Sequence, residues 1–90
     1  MQKVFVIQAM GIRQAGLVAR LDYRGGTRCK VRIQGARMPR LVDPALVFDD
    51  AEAAREAWRD ARRHRQSLEK AGRHLTVTEA ALDLARQLAS

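Results

Sequence analysis

The sequence predicts an α+β fold: an antiparallel sheet of three or four strands, packed on one face by a long helix, with a shorter C-terminal helix. Alternating apolar and polar residues in the first half predict strands, and two capping patterns followed by helical stripes predict helices in the second. Ninety residues suit one hydrophobic core. We therefore expect a single domain over residues 1–90, with a basic β-meander at 1–48 and a two-helix segment at 49–90.

The strands are predicted from periodicity. Val4 to Gln8 is apolar on both faces and fits a central strand, whereas Leu17 to Arg24 and Thr27 to Gln34 alternate as half-buried strands do. The polar stretch Ile12 to Ala15, between two glycines, is predicted to be a loop. Pro39 and Pro44 interrupt the next segment.

Two short stretches compete for the last strand, because either could lie beside the prolines. Ala45 to Phe48 is one, and Leu41 with Val42 is the other. Either of them would complete a sheet of three or four strands.

The hairpin register follows from the rule that cross-strand partners share a face. The apolar positions of both strands are odd-numbered, so the numbers of two partners should sum to an even value. A three-residue loop from Arg24 to Gly26 satisfies this rule and pairs Tyr23 with Thr27. It places Arg20 opposite Lys30, a repulsion that a bound anion would relieve.

The helix boundaries are predicted from caps. Asp49 with Glu52 three residues later forms a capping pattern, with Phe48 before it as a staple residue, and Gly72 is placed to end the first helix in the left-handed conformation. A second capping box at Thr76 and Glu79 starts a helix of about 13 residues.

Charge is distributed unevenly. The net charge is +7, yet residues 1–40 hold nine bases and one acid while residues 41–90 hold eight bases and nine acids. The excess of +8 in the first half points to an acidic partner such as nucleic acid or an acidic protein. The high Arg content alone is weaker support, since a GC-rich coding sequence also produces it.

Alternation places most of these bases on one predicted sheet face, opposite the core, with Asp22 as the single acid. The candidate binding residues are Arg20, Arg24, Arg28, Lys30, Arg32, Arg37 and Arg40. A solvated face of an antiparallel sheet is also polar, but it normally mixes signs. Tyr23 and Trp58 fall on apolar stripes and are predicted to be core residues, which disfavours recognition of single strands by base stacking.

The charged face of the first helix has an ordinary explanation. Acids recur three or four residues from its arginines, as in Glu52 to Arg55 and Glu56 to Arg59, which predicts a salt-bridged exposed surface. We expect the cluster Arg62, Arg63 and Arg65 to be uncompensated and to be able to extend the contact with a nucleic-acid backbone.

The sequence offers no catalytic or metal-binding pattern, so we expect no enzyme activity, no cofactor and no metal site. Cys29 is the only cysteine and is predicted to be buried, and His64 and His74 are the only histidines. A cysteine that has no disulfide partner fits a reducing compartment, here the cytoplasm. The apolar runs are too short to cross a membrane.

The segment from Gly16 to Arg59 resembles the three-strand-plus-helix DNA-binding domains of the ethylene-response-factor type and the arm-binding domains of phage integrases. The resemblance is carried by the bases of the meander and by Val47 to Ala54, where a phenylalanine leads into an Ala-rich helix. In such families the sheet enters the major groove. The resemblance thus implies DNA contacts at Arg20, Arg28, Lys30 and Arg32, although Pro39 and Pro44 stand where the third strand should run.

We therefore expect a non-enzymatic protein, monomeric or homodimeric, that binds double-stranded DNA through the Arg-rich sheet face. The chain is also similar to small accessory proteins of phages and mobile elements, many of which inhibit a host protein, including defence complexes of the CRISPR type. The alternative expectation is such a host-protein inhibitor, which would present the same basic surface to an acidic protein.

Overall fold

The computed structural model describes residues 1–89 and confirms the α+β class. Five antiparallel strands form one sheet, and two helices follow it. The strands are β1 (Gln2–Gln8), β2 (Gly11–Tyr23), β3 (Gly26–Ile33), β4 (Arg40–Val42) and β5 (Val47–Phe48), and the helices are α1 (Ala51–Lys70) and α2 (Val77–Ala89). The strand order across the sheet is β4-β3-β2-β1-β5, so β1 is internal, as its double-sided apolar pattern predicts.

Of the two segments that competed for the last strand, Leu41 with Val42 lies in β4, and Ala45 to Phe48 contributes only Val47 and Phe48, which form β5. A single-turn 3-10 helix, Pro44–Leu46, separates them, and its N-cap is Asp43, whose side chain accepts a hydrogen bond from the Ala45 amide at 2.9 Å. The sheet therefore gains a fifth strand, at the opposite edge from the fourth.

The predicted loop at Ile12 to Ala15 is wrong, because these residues belong to β2. The β1–β2 turn consists of Ala9 and Met10 alone, and Gln8 pairs with Gly11. Ala15 is buried opposite Val4. The adjacent polar residues are exposed on β2, and a short exposed stretch cannot be told from a loop by composition.

The sheet is curled, as the short connection between its two edges requires. Four residues lie between Val42 of β4 and Val47 of β5, and the turn of 3-10 helix among them limits the reach of this connection to about 13 Å. In a flat sheet, four strand spacings of about 4.8 Å would place these edges about 19 Å apart. The sheet must therefore bend until its edges approach each other.

The concave inner face of the curled sheet holds its own core. Residues paired across the strands share a face, and one of the two faces contains every member of the main buried cluster. These residues are Val4, Val6, Ala15, Cys29, Val31 and Ile33. Val42 and Val47 from the two edge strands pack against the cluster, so the strands themselves enclose it.

The helices pack on the convex outer face, beside β1 and β5. Ile7 and Phe48 lie on that face by register, and they line a crevice with Ala57 of α1 and with Ala81 and Leu84 of α2. Ile7 is 1% exposed, although it does not belong to the inner core. The outer face is thus divided: the helices cover its β1–β5 side and reach part of β2, and they leave the β3–β4 side open.

Helix α1 begins one residue later than predicted. Asp50, not Asp49, is its N-cap, and the Asp50 side chain accepts a hydrogen bond from the Ala53 amide at 3.3 Å. Asp49 instead accepts a 2.7 Å hydrogen bond from Gln2 of β1. Gly72 follows the helix with φ +86, which confirms the predicted left-handed ending.

The second capping box is confirmed in both directions. The Thr76 hydroxyl accepts a hydrogen bond from the Glu79 amide at 3.1 Å, and a Glu79 carboxylate oxygen accepts one from the Thr76 amide at 3.0 Å. These hydrogen bonds, led by that from the Thr76 backbone, hold the pKa of Glu79 below its ordinary value.

His64 of α1 and Asp83 of α2 join the two helices. Nε2 of His64 lies 2.7 Å from Oδ2 of Asp83, and the side chains are 15% and 22% exposed. A carboxylate can only accept, so Nε2 donates this bond. The hydrogen bond from His64 holds the pKa of Asp83 below its ordinary value.

Within residues 1–89 there is no helix with the length and apolar character that spanning a membrane demands.

Replacing Thr76 by Ala should lower the free energy of unfolding by about 1 kcal/mol, since the first turn of α2 loses its cap. Urea denaturation followed by circular dichroism measures the change. Ser67→Ala, an exposed position within α1, is the matched control and should cause no loss of stability.

Acid should weaken the contact between the two helices. Because the pKa of Asp83 is lowered in the folded state, its contribution is complete above the unfolded value of about 3.9 and is lost as the pH falls through the lower native value. Asp83→Asn should reduce the melting temperature by a few degrees at pH 7, and the difference from wild type should shrink at pH 2.5.

Asp60→Asn is the control for this experiment. Asp60 is half exposed and pairs with Arg63 at 3.8 Å, so its replacement should leave the melting temperature almost unchanged at pH 7. A drop equal to that of Asp83→Asn would contradict a specific role for the interhelical bond.

Candidate cationic interface

A β-bulge at Val18 determines which side chains of the β2–β3 hairpin point outward. Leu17 pairs with Val31, but the next pair is Ala19 with Lys30, so β2 has one residue more than β3 at this point. A bulge of this kind reverses the faces of all residues beyond it. Val18 itself is 43% exposed.

The predicted hairpin register is wrong. The turn contains two residues, Arg24 and Gly25, and Tyr23 pairs with Gly26, not with Thr27. Gly26 has φ +121, a conformation that its lack of a side chain permits. The even-sum rule assumed uninterrupted alternation along β2, and the bulge removes that assumption.

Arg20 therefore lies on the inner side of the sheet and is not part of an outward platform. It pairs with Cys29, and its Nη1 lies 3.4 Å from the Cys29 sulfur. Asp22 shares this side and accepts a 2.8 Å hydrogen bond from the Thr27 hydroxyl. The predicted repulsion between Arg20 and Lys30 does not arise, because Lys30 faces Ala19.

Four cations share the outer face. Arg28, Lys30 and Arg32 occupy alternate positions of β3, and Lys3 of β1 lies in line with Arg32 across Gly16 of β2. We call Lys3, Arg28, Lys30 and Arg32 the cationic row. Successive members on β3 are about 6.7 Å apart along the strand, a spacing similar to that of phosphates along a nucleic-acid strand.

Within residues 1–89, the cationic row has no carboxylate partner. Every ion pair within residues 1–89 involves side chains of the helices or of the turn between them. Arg28 donates to the backbone carbonyl of Thr27 at 2.9 Å, and the Lys3 ammonium lies 5.8 Å from the Phe5 ring centroid. The positive charge of the row is therefore available to an external anion.

The other three predicted binding residues surround this row without joining it. Arg24 occupies the exposed hairpin turn, and Arg37 is exposed in the irregular segment before β4. Arg40 pairs with Val31 and so points to the inner side, where it lines a groove with Arg13 and Gln8.

Apolar side chains accompany the row. Tyr23, predicted to be a core residue, is 51% exposed, and it lies on the outer face with Leu21, which pairs with Arg28. Leu41 of β4 pairs with Lys30 and is 53% exposed. Trp58, the other aromatic residue that was predicted to be in the core, is partly buried on α1 and does not belong to this interface. The interface thus interleaves cations with aliphatic and aromatic surface.

Lys3 is the residue of the interface that the sequence reasoning missed. Its membership depends on the pairing of β1 with β2 across Gly16, and the prediction of a loop at Ile12 to Ala15 removed that pairing. The alternation of Lys3 with Val4 was the available signal.

The remaining reactive side chains lie apart from the row. Cys29 is fully buried in the inner core beside Arg20, whereas His64 is bonded to Asp83 between the helices. Residues 1–89 contain no group of three or more potential metal ligands. On α1, Arg55 pairs with Glu52 as predicted, while Arg59 pairs with Glu52 and not with Glu56.

The arginine cluster of α1 is largely neutralised. Arg63 pairs with Asp60 at 3.8 Å and Arg65 pairs with Glu69 at 3.5 Å. The expectation of an uncompensated cluster at Arg62, Arg63 and Arg65 is therefore wrong for two of its three members.

No protein-family model matches the chain, and comparisons with curated proteins and with solved structures give no match either. The interpretation of the cationic row consequently rests on its geometry and charge.

Stability measurements test the register. Tyr23→Ser should change the free energy of unfolding by no more than about 0.5 kcal/mol because the side chain is exposed on the outer face. Val31→Ala should cost about 2 kcal/mol, since Val31 is fully buried in the inner core. Chemical denaturation of both variants measures these values, and equal losses would contradict the bulged register.

Proposed function

We propose that the protein is a non-enzymatic nucleic-acid-binding protein, and that double-stranded DNA is bound through the cationic row. The observation that carries the proposal is a set of four cations on one open face, for which the described part of the chain supplies no carboxylate partner. Phosphate contacts by Lys and Arg supply most of the affinity of sequence-independent binding. The ligand of such a row is a phosphodiester backbone.

The division of charge within the chain supports the same ligand. Three acids of α1, Glu52, Asp60 and Glu69, pair with arginines of the same helix, and Asp83 of α2 pairs with His64 and Arg73. The strands therefore retain the positive field. A field of this kind steers a polyanion toward the β3–β4 side. Arg24 and Arg37, both exposed beside the row, would extend the contact along the backbone.

Binding of random-sequence duplex should fall steeply with salt. If all four members of the row contact phosphates, the logarithm of affinity should decline against the logarithm of salt concentration with a slope of roughly −3.6. Replacing Lys30 and Arg32 by Gln should reduce that slope by roughly 1.8. Fluorescence anisotropy with a labelled duplex measures both slopes.

The double variant Arg55→Gln and Arg63→Gln is the matched control. It removes the same net charge from α1, where both side chains are already paired with acids. Its slope should equal that of wild type. Equal reductions in the two double variants would mean that net charge, and not the row, determines binding, and a wild-type protein that leaves duplex unbound at low ionic strength would end the proposal.

The exposed apolar residues beside the cationic row favour a second candidate function, inhibition of a host protein. Tyr23 and Leu41 are exposed among cations, and Tyr with Arg is the composition of energetically dominant positions in protein interfaces. A stoichiometric partner that survives nuclease treatment of a lysate, and that Tyr23→Ser abolishes, would support inhibition over nucleic-acid binding.

A further inference from the structure

A groove on the outer face interrupts the cationic row at one end. Lys3, Gly16 and Arg32 form one cross-strand line over β1, β2 and β3, and the central residue of the line has no side chain. The groove has a volume of about 420 Å³, and its lining includes the amide side chains of Gln14 and Gln34. We call it the Gly16 groove.

The chemistry of the Gly16 groove is cationic and amidic. Its walls carry two bases, two carboxamides and the Met1 side chain, and none of the described residues that line it is an acid. Strands on either side of β2 are about 9.6 Å apart, so one phosphate can meet Lys3 and Arg32 together. The exposed Met1 side chain lies over Gly16 and must swing aside to admit that phosphate. A carboxamide offers both a donor and an acceptor, the pairing that reads the edge of a base.

We propose that the Gly16 groove seats one unpaired nucleotide of a bound strand, with its phosphate between Lys3 and Arg32 and its base edge against Gln14 and Gln34. This inference rests on the phosphate binding by the cationic row that the proposed function describes, and it adds strands with unpaired nucleotides to the ligands of that row. A paired nucleotide is held in the base stack of the duplex and cannot enter a groove of about 420 Å³ without being flipped out, whereas an unpaired nucleotide can.

The position of the groove relative to Tyr23 supports the same ligand. Both lie on the outer face, at opposite ends of the run from Arg28 to Arg32. That run is about 13 Å long, so a strand of a few nucleotides spans it. A base beyond the row can stack on the exposed Tyr23 ring, and sequence-tolerant binding of single strands combines a basic track with such rings.

Gly16→Val tests the inference without changing charge. Gly16 lies in extended backbone, and the three atoms nearest to an added Cβ all belong to the flexible Met1 side chain, whose sulfur would lie 3.3 Å away. Anisotropy titrations compare labelled twelve-residue oligothymidine with a random duplex of twelve base pairs. The variant should bind the single strand about tenfold more weakly, the order of one seated nucleotide, and the duplex as wild type does.

Ala19→Val is the matched control, because Ala19 lies on the same face, opposite Lys30, and does not line the groove. It should bind both ligands as wild type does. Gln34→Ala, an exposed position, removes one amide without filling the groove and should also weaken single-strand binding. Melting curves establish whether each variant is folded. If Gly16→Val does not fold, Gln34→Ala decides the question.

Three results separate the two proposals. Unchanged binding of the single strand by Gly16→Val and Gln34→Ala would overturn the inference while the binding function stands. Equal weakening toward single strand and duplex would overturn the restriction to unpaired nucleotides. If wild type binds neither ligand at low ionic strength, the proposed function itself fails.

Discussion

The β-bulge at Val18 is the constraint on which the arrangement of the outer face depends. In the part of β2 that precedes the bulge, Leu17 and Ala15 face inward with Val31 and Ile33. Beyond it, Arg20 faces inward, and Leu21 and Tyr23 face outward with Arg28. The additional residue in β2 therefore reverses which of its side chains point outward beyond the bulge. In β3 the alternation continues without interruption, so its cations all remain on the outer face.

The bulge is consistent with the curl of the sheet. A bulged strand bends and twists more strongly, and β2 is the long central strand around which β3 and β1 must turn. The 3-10 helix from Pro44 to Leu46 then joins the two edges over a short distance. Because the strands enclose their own core, the helices need to cover only the β1–β5 side, and the cationic row remains open.

Much of the architecture could be predicted, because it depends on interactions between near neighbours in the chain. The Thr76–Glu79 capping box, the left-handed Gly72 and the Glu52–Arg55 ion pair each join residues three or four positions apart or involve one residue alone. The excess of bases before residue 41 and the burial of Cys29 were equally accessible. The outward-facing side chains of the β2–β3 hairpin could not be predicted, because a bulge leaves no mark on hydrophobic alternation.

By itself, the sequence determined the α+β class, the two helices with their caps, and the separation between basic strands and ion-paired helices, since periodicity, capping and charge spacing are local. Only the tertiary structure decided that Arg20 turns inward, that Tyr23 is exposed, and that Lys3 meets Arg32 across Gly16. Those outcomes depend on strand register over long sequence separations. Register is fixed by the packing of the whole sheet, which no local pattern encodes.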